Sequence, residues 1–468
     1  MGKPKSAKAR VSSDRAQSEN FGLHAGVLGP LETLAQSVSA MAPSTSPSLT
    51  IPLVFAIAGN ATWFVYLLAT GATLLVGFCV SQFARLTASP GSLYTYTADT
   101  LPPIFGAVAG WGLLLAYLAT AASVAGGALY YTGVLSQQFF HWTPPVLVSL
   151  TAVCVAAGFV AYRDVKLSAE LMLWIEVCSV SLICIVLAVM PIHFGFHLDM
   201  DQFRLRGVSF SNLGPALVLS MFSFVGFESA TTLGGEARNP LRTIPRAVIQ
   251  CAILAGVFFV LCSYSEVLGF RGESGKLSDT TSPLHLLANK AGVSPLGTGI
   301  DFGAFISMVA CVLACVTAAS RVLLRMARER LLPAMFEKTS RRHGTPVAAV
   351  VLCTCLVFLP TAVMSLRGIS GSDVYDLLGS LSVFGFLTAY ALVAAALPFA
   401  RRARGRHSHL LASVSAVAVL VVILMAVFDL RSTTDVVHAR LPYIYLVYIA
   451  AGLAWYGIRR NQPAVVGA

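Results

Sequence analysis

Residues 226–247 read GFESATTLGGEARNPLRTIPRA: a polar, glycine-bearing patch closes one apolar span, runs through a cationic loop, and leads directly into the next apolar span. Inside a bilayer no water meets the backbone, so each amide and carbonyl must be paired within its own segment or face a protein-lined cavity. An interruption at membrane depth is costly, and it marks a substrate or ion site built from half-helices. The pattern predicts a small-molecule site near the membrane midplane.

The rest of the chain fits that setting. Of its 468 residues, 56% are hydrophobic and 11% charged, against about 25% charged in an ordinary soluble domain. Apolar stretches at 30–59, 61–84, 103–135, 145–162, 167–190, 211–236, 245–269, 298–327, 346–366, 374–399, 409–428 and 441–458 mostly reach the roughly 20 residues that span the hydrocarbon core. The predicted fold class is an all-α polytopic membrane protein with twelve transmembrane helices. Residues 1–22 carry Lys3, Lys5, Lys8, Arg10 and Arg15, with no cleavage site before the first apolar span. They are expected to be a disordered basic cytoplasmic tail, followed by a transporter core at 23–400, helices 11 and 12 at 401–460, and a second cytoplasmic tail at 461–468.

An even number of crossings places both termini on one side. With both in the cytoplasm, 24 of the 32 lysines and arginines fall inside, as the positive-inside rule requires. The net charge of +11 is then an orientation signal and an attraction to anionic lipid, and a nucleic-acid partner is excluded. The expected location is the cell membrane. The ten cysteines lie within apolar spans and are read as small packing residues; Cys311/Cys315 and Cys353/Cys355 lack nearby His or acidic partners, so no metal is expected. No cofactor is implied.

Two spans carry matching anomalies. The first contains AMAPSTSPSLTIP from Ala40 to Pro52, and the sixth contains FSFVGFES from Phe222 to Ser229. Interruptions five helices apart point to two five-helix halves, an inverted repeat with the site between them. In the first span Pro43 removes a donor, Ser44 and Thr45 are polar at depth, and Ser46-Pro47 resembles a helix start with serine as N-cap. Free amides near Ser48 and Leu49 would then present the positive end of a half-helix to a carboxylate; a proline-kinked continuous helix is the alternative. In the sixth span Ser223, Gly226 and Ser229 weaken the helix around Phe224 and Val225. Unwound carbonyls there suit an ammonium group, and Phe222 suits an apolar lid. Glu228 is read first as the cap of a second half-helix starting near Ser229. Tyr117 is an expected pocket residue from the third span.

Glu176 lies nine residues into the fifth span, about 13 Å along a helix rising ~1.5 Å per residue. A mid-membrane carboxylate costs several kcal/mol unless paired or wetted, so Glu176 is the expected proton-coupling residue. Thr317 and Ser320 share a face and could ligate sodium, but such residues more often bond their own helix. Glu266 and Asp301, near helix ends, are expected to be interfacial. Arg238, Arg242 and Arg246 are expected to fix an elbow at the headgroups, and Arg321, Arg325, Arg328, Glu329 and Arg330 to form a cytoplasmic network. Asn60-Ala61-Thr62 matches a glycosylation acceptor and is read as a helix cap.

The stretch from Phe222 to Ala247 resembles the helix 6 signature of the amino acid–polyamine–organocation permeases: an aromatic, a GFE core, an acid, NP, R and IPRA. PGSLYTY at 90–96 with Gly110-Trp111, and RVLLRMARERLLPAMFEKTSRRHGTPVAA at 321–349, are similar to that family's loop with its third helix and to its helix 8–9 connection. The resemblance covers roughly residues 25–460 and is of the bacterial amino acid permease type. It implies a LeuT-like five-plus-five inverted repeat with broken helices 1 and 6, two further C-terminal helices, and alternating access. It also implies that helix 1 amides hold an α-carboxylate, helix 6 carbonyls hold an α-amino group, and Phe222 gates the site. Two departures stand out. Glu176 lies near the place where some relatives carry a lysine, and Ala42-Pro43-Ser44-Thr45-Ser46-Pro47 replaces a glycine-rich break, which implies a substrate that is smaller, shifted, or not a standard α-amino acid.

The expected function is secondary transport of an amino acid or related organic amine, by proton coupling or exchange. Sodium symport and a non-transporting sensor on the same fold are alternatives. An enzyme is not expected: His141, His193 and His197 fall outside and His343, His407 and His409 in cytoplasmic loops, far from any nucleophile–base pair. With Glu176 and Glu228 otherwise occupied, the substrate is expected to be neutral, small or apolar.

Overall fold

The computed structural model describes residues 21–163, 165–194, 198–271, 277–403, 408–432 and 437–460. Most of the expected tail at 1–22, the segment 461–468, and Glu273, His197 and His407 lie outside them. Ten helical stretches among the described residues are long and apolar enough to cross a membrane. In chain order the helices are α1 (Pro30–Met41), α2 (Ile51–Ala58), α3 (Thr62–Ala84), α4 (Ser92–Ala98), α5 (Pro103–Phe140), α6 (Val146–Arg163), α7 (Val165–Phe194), α8 (Leu213–Met221), α9 (Pro240–Gly269), α10 (Pro283–Lys290), α11 (Ser294–Arg328), α12 (Val347–Leu366), α13 (Gly371–Ala403), α14 (His409–Ser432) and α15 (Leu441–Arg460).

The long helices α5, α11 and α13 form the centre, with α6, α14 and α15 around them. Small residues set the close approach of α5 to α13: a Cβ on Gly385 would stand 2.4 Å from the Gly112 carbonyl, a contact only glycine permits, as in membrane helix pairs generally. The outer helices expose Val155, Phe159, Leu420, Ile423, Tyr443 and Val447. That surface would be untenable in water and is ordinary against lipid tails.

One end of the bundle is basic and tied together by side chains. Arg321 and Glu236 are both fully buried and form a two-pronged pair, Nη2–Oε1 2.7 Å and Nε–Oε2 2.9 Å. Arg321 also donates to the Thr317 carbonyl at 3.0 Å. Within the expected cytoplasmic network it is therefore an internal strut, because its guanidinium is buried on Glu236 just ahead of α9. A parallel β-bridge joins Leu28 to Ala237, with Leu28 N donating to Glu236 O and Arg238 N to Leu28 O. Phe21, within the expected tail, is buried under the guanidinium groups of Arg325 and Arg328. Arg85, Arg242 and Arg246 are exposed around a shallow cavity of about 300 Å³ at this end.

At the opposite end Arg271 donates to Asp199 at 2.8 and 3.1 Å and to Asn60 Oδ1 at 2.8 Å. Burial alone would raise the Asp199 carboxyl, but hydrogen bonds from Arg271 and Gln202 and the guanidinium charge outweigh it and hold the group below the usual range. Asn60 caps no helix: its amide bridges Arg271 and the Arg206 carbonyl (2.8 Å), which occupies both its oxygen and its nitrogen. Asp301 is not interfacial either. It is buried and paired with His285 Nδ1 at 2.6 Å.

Removing one partner of a buried pair strands the other charge at a cost of about 3–5 kcal/mol. Arg321→Ala is therefore expected to lower the melting temperature of detergent-purified protein far more than Arg328→Ala. Arg321→Met with Glu236→Leu should recover much of the loss. Equal melting temperatures for the two single variants would contradict the strut assignment.

Candidate substrate site at two facing breaks

Proline chemistry shapes the first break. α1 stops at Met41, and Ala42 adopts a left-handed conformation (φ 47°). Its amide turns back to Ser39 O (3.1 Å), and Thr45 N reaches Ala42 O (2.9 Å). The chain resumes as a π-helical turn over Ser46–Thr50, in which Ile51 N bonds Ser46 O. Pro47 and Pro52 have no amide hydrogen, so the ladder slips to the longer repeat before α2. The expected restart at Ser46-Pro47 is present. Ser46 is nevertheless not the capping residue: Thr45 holds that position and makes no side-chain cap bond. Ser48 Oγ instead bonds back to Ser44 O (2.8 Å).

The second break is longer than the sequence implied. After α8 the chain turns irregularly through Phe222–Glu228, and the expected second half-helix is only a 3-10 stretch over Ser229–Leu233. Hydroxyl groups account for this. Thr231 and Thr232 bond the carbonyls three residues back (2.7 Å each), while Ser229 Oγ donates to Gln36 O (3.0 Å) and Ala230 N to Ser37 Oγ (3.0 Å). The unwound stretch is thus paired both with its own carbonyls and with α1. Gly226, at φ 92°, allows the contact, since a Cβ there would lie 2.8 Å from Ala40 O.

Glu228 makes no cap bond. Its carboxyl accepts from Tyr117 on α5 (2.8 Å) and Tyr390 on α13 (2.6 Å), with the Gly226 and Glu228 amides facing it. It pins the second break to the central helices. Tyr117 is placed at the site but spends its hydroxyl on this carboxyl. Phe222 packs edge-on to Tyr375 (5.2 Å) and over Gly379, and Tyr375 shares a 2.7 Å hydrogen bond with Thr50. Ser223 Oγ meets Tyr66 at 3.1 Å. The Phe224 ring turns away into Tyr66 and Phe259, and Val225 is buried packing; only their backbones are available to a ligand.

Residues 39–52 and 220–234 are buried throughout, so the region between the breaks is closed at both ends. Within it the Oγ atoms of Ser39 and Ser44, and Oγ1 of Thr45, have no hydrogen-bond partner. Buried hydroxyls are rarely left so. Pro43 is buried beside them. Glu176 lies on the basic side of the breaks, where Ser307 Oγ donates to its carboxyl at 3.0 Å and Ser39 faces it without closing a bond. Sequence reasoning missed Tyr390, Tyr66, Tyr375, Ser307 and Glu236. A tyrosine or serine within an apolar span signals a hydroxyl that needs a partner, but only the fold says which one.

A hydrogen bond to a buried carboxyl contributes about 1.5–3 kcal/mol. Tyr117→Phe and Tyr390→Phe should each lower the melting temperature, and because both act on Glu228 the double variant should lose less than the sum. Strict additivity would show that the two hydroxyls do not share the carboxyl.

The chain is similar to a branched-chain amino acid permease of Bacillus subtilis, 24% identical over 366 residues and 74% of each chain. It is also similar to an uncharacterized transporter of Mycobacterium tuberculosis, 28% identical over 409 residues and 84% of each. Cationic amino acid transporter 4 of Mus musculus is 26% identical over 388 residues, 78% of this chain and 58% of that relative. The family described as "Amino acid permease" matches residues 48–434, from the first break to beyond α14, and on that match the chain belongs to the amino acid permease family and is an integral membrane permease.

Proposed function

We propose that this permease is a secondary active transporter that carries a neutral amino acid, or a related organic amine, across the cell membrane by alternating access. Twelve crossings and cytoplasmic termini follow if α1–α2 and α8 with its unwound continuation each count as one crossing and the basic end faces the cytoplasm. The observation that carries the reading is the pair of facing breaks with partnerless hydroxyls at Ser39, Ser44 and Thr45. A carboxylate is the ligand that such donors, and the free amides of a helix start, would satisfy. Carbonyls of Phe222, Ser223 and Val225 would take the ammonium group; Gly226 O already accepts from Ser229 N (2.9 Å).

The closures at the two ends give the access mechanism. Phe222, Tyr375 and Thr50 close the end away from the basic face. Glu236, Arg321 and the Leu28–Ala237 bridge close the basic end. Opening one set while the other holds exposes the breaks to one side at a time.

Proton coupling through Glu176 is preferred to sodium. Two carbonyls between α1 and α11 already accept bonds, Ala314 O from the Gln36 amide (2.9 Å) and Ala40 O from the Cys311 thiol (3.2 Å), although Thr317 Oγ1 has no partner. Ser320 bonds the Thr317 carbonyl of its own helix (2.8 Å).

Radiolabel counterflow in proteoliposomes tests the function, with the amino acids supplied singly. Exchange of at least one amino acid is expected; binding without flux would favour a sensor, and a requirement for sodium would remove the proton assignment. Phe222→Ala should weaken binding or leak substrate. Glu176→Gln should abolish the pH dependence of uptake and leave binding intact, and an unchanged pH profile would discard Glu176.

A further inference from the structure

Five acids are buried among the described residues. Ser307 serves Glu176, two tyrosines serve Glu228, Arg321 serves Glu236 and His285 serves Asp301. The fifth, Glu266, is fully buried in the last turns of α9, and neither of its carboxyl oxygens has a hydrogen-bond partner. It is not the interfacial residue its position near a helix end implied: it is fully buried, and α3 and the first-break turn pack along α9.

A partnerless carboxylate in such a place is costly. The carbonyl end of α9 adds negative potential of its own. A buried carboxyl with no hydrogen-bond partner costs stability, so a structural role does not account for it.

Its surroundings connect it to the moving parts. Tyr66 of α3, the helix packed along α9, is within electrostatic reach of Glu266 and is hydrogen-bonded to Ser223 in the second break. Tyr131 of α5 is within electrostatic reach of it as well. The Tyr131 hydroxyl is itself partnerless and points toward Ser48 in the first break. The other titratable groups are Cys262 on the same helix and Cys184 of α7, Asp301 beyond Tyr131 with its His285, and Lys290 of α10, which donates to the Gly269 carbonyl at 3.0 Å. Glu176 stands on the basic side of the breaks beside Ser39; Glu266 stands on the other side.

We propose that Glu266 is a second proton-binding site of the transport cycle, exchanging its proton at the end of the bundle opposite the basic face. When the breaks part on that side, Tyr66 and Tyr131 move with them and water reaches the carboxyl. The proton then passes from the carboxyl oxygen to that water, and returns before the breaks close. The assignment rests on the transport reading above.

The test uses proteoliposomes of the full chain, wild type beside Glu266→Gln and Glu266→Asp, with counterflow, accumulation driven by a pH gradient, and substrate-induced proton movement followed by a trapped pH dye. Glu266→Gln mimics the protonated acid; it should retain counterflow while losing both pH-driven accumulation and proton movement. Glu266→Asp should keep proton movement with a shifted pH profile. Proton movement and accumulation like wild type in Glu266→Gln would overturn the proposal. If that variant does not reconstitute, difference infrared spectra of wild type with and without substrate decide: a protonated-carboxyl band that shifts in Glu266→Asp is expected, and an unchanged band overturns the assignment. A wild type that shows no counterflow with any amino acid overturns the transport reading and this proposal with it.

Discussion

The structure depends on how two interrupted helices satisfy their backbones in a setting without water. Local turns satisfy part of each break. Ser229 and Ala230 of the second also bond Gln36 and Ser37 of α1, just ahead of the first, and Gly226 brings the two chains to van der Waals contact at Ala40. The second break and the end of α1 are therefore one unit. Displacing either half exposes backbone groups unless another partner replaces the one lost.

Around that unit three side-chain clusters hold the breaks in place. Glu228 is held by Tyr117 and Tyr390 on the central helices, so the second break is fixed at its middle and free to move at its ends. Arg321 and Glu236 lock one end, and an aromatic and hydroxyl set of Phe222, Tyr375 and Thr50 closes the other. A buried ion pair on one side and a mainly apolar contact on the other have different costs of opening. Parting the pair strands two charges, whereas parting the aromatic contact exposes apolar surface.

Much of this was legible in the sequence. The spans, their basic loops and the positions of both breaks follow from apolar length and from Pro, Gly and Ser placed at membrane depth. The resemblance of 222–247 pointed to the family that the match over 48–434 establishes. What sequence could not supply were partners. Glu228 read as a cap because a helix was expected after it, yet the threonines at 231 and 232 draw that stretch into a 3-10 turn and leave the carboxyl to two tyrosines distant in sequence. Arg321 read as one of a basic surface run because nothing local marks it as buried. Glu266 and Asp301 read as interfacial because distance from a helix end was the sole guide, and burial by neighbouring helices is a property of the fold.

The central claim is that the facing breaks form an amino acid site that requires their close approach. Thermal-shift measurement of purified protein against the amino acids, wild type beside Gly226→Ala, tests it most directly, since a ligand that binds the folded state raises its apparent stability with concentration. A concentration-dependent rise with at least one amino acid in the wild type, absent in Gly226→Ala, is the predicted result. No stabilisation by any amino acid, or equal stabilisation of both proteins, would contradict it.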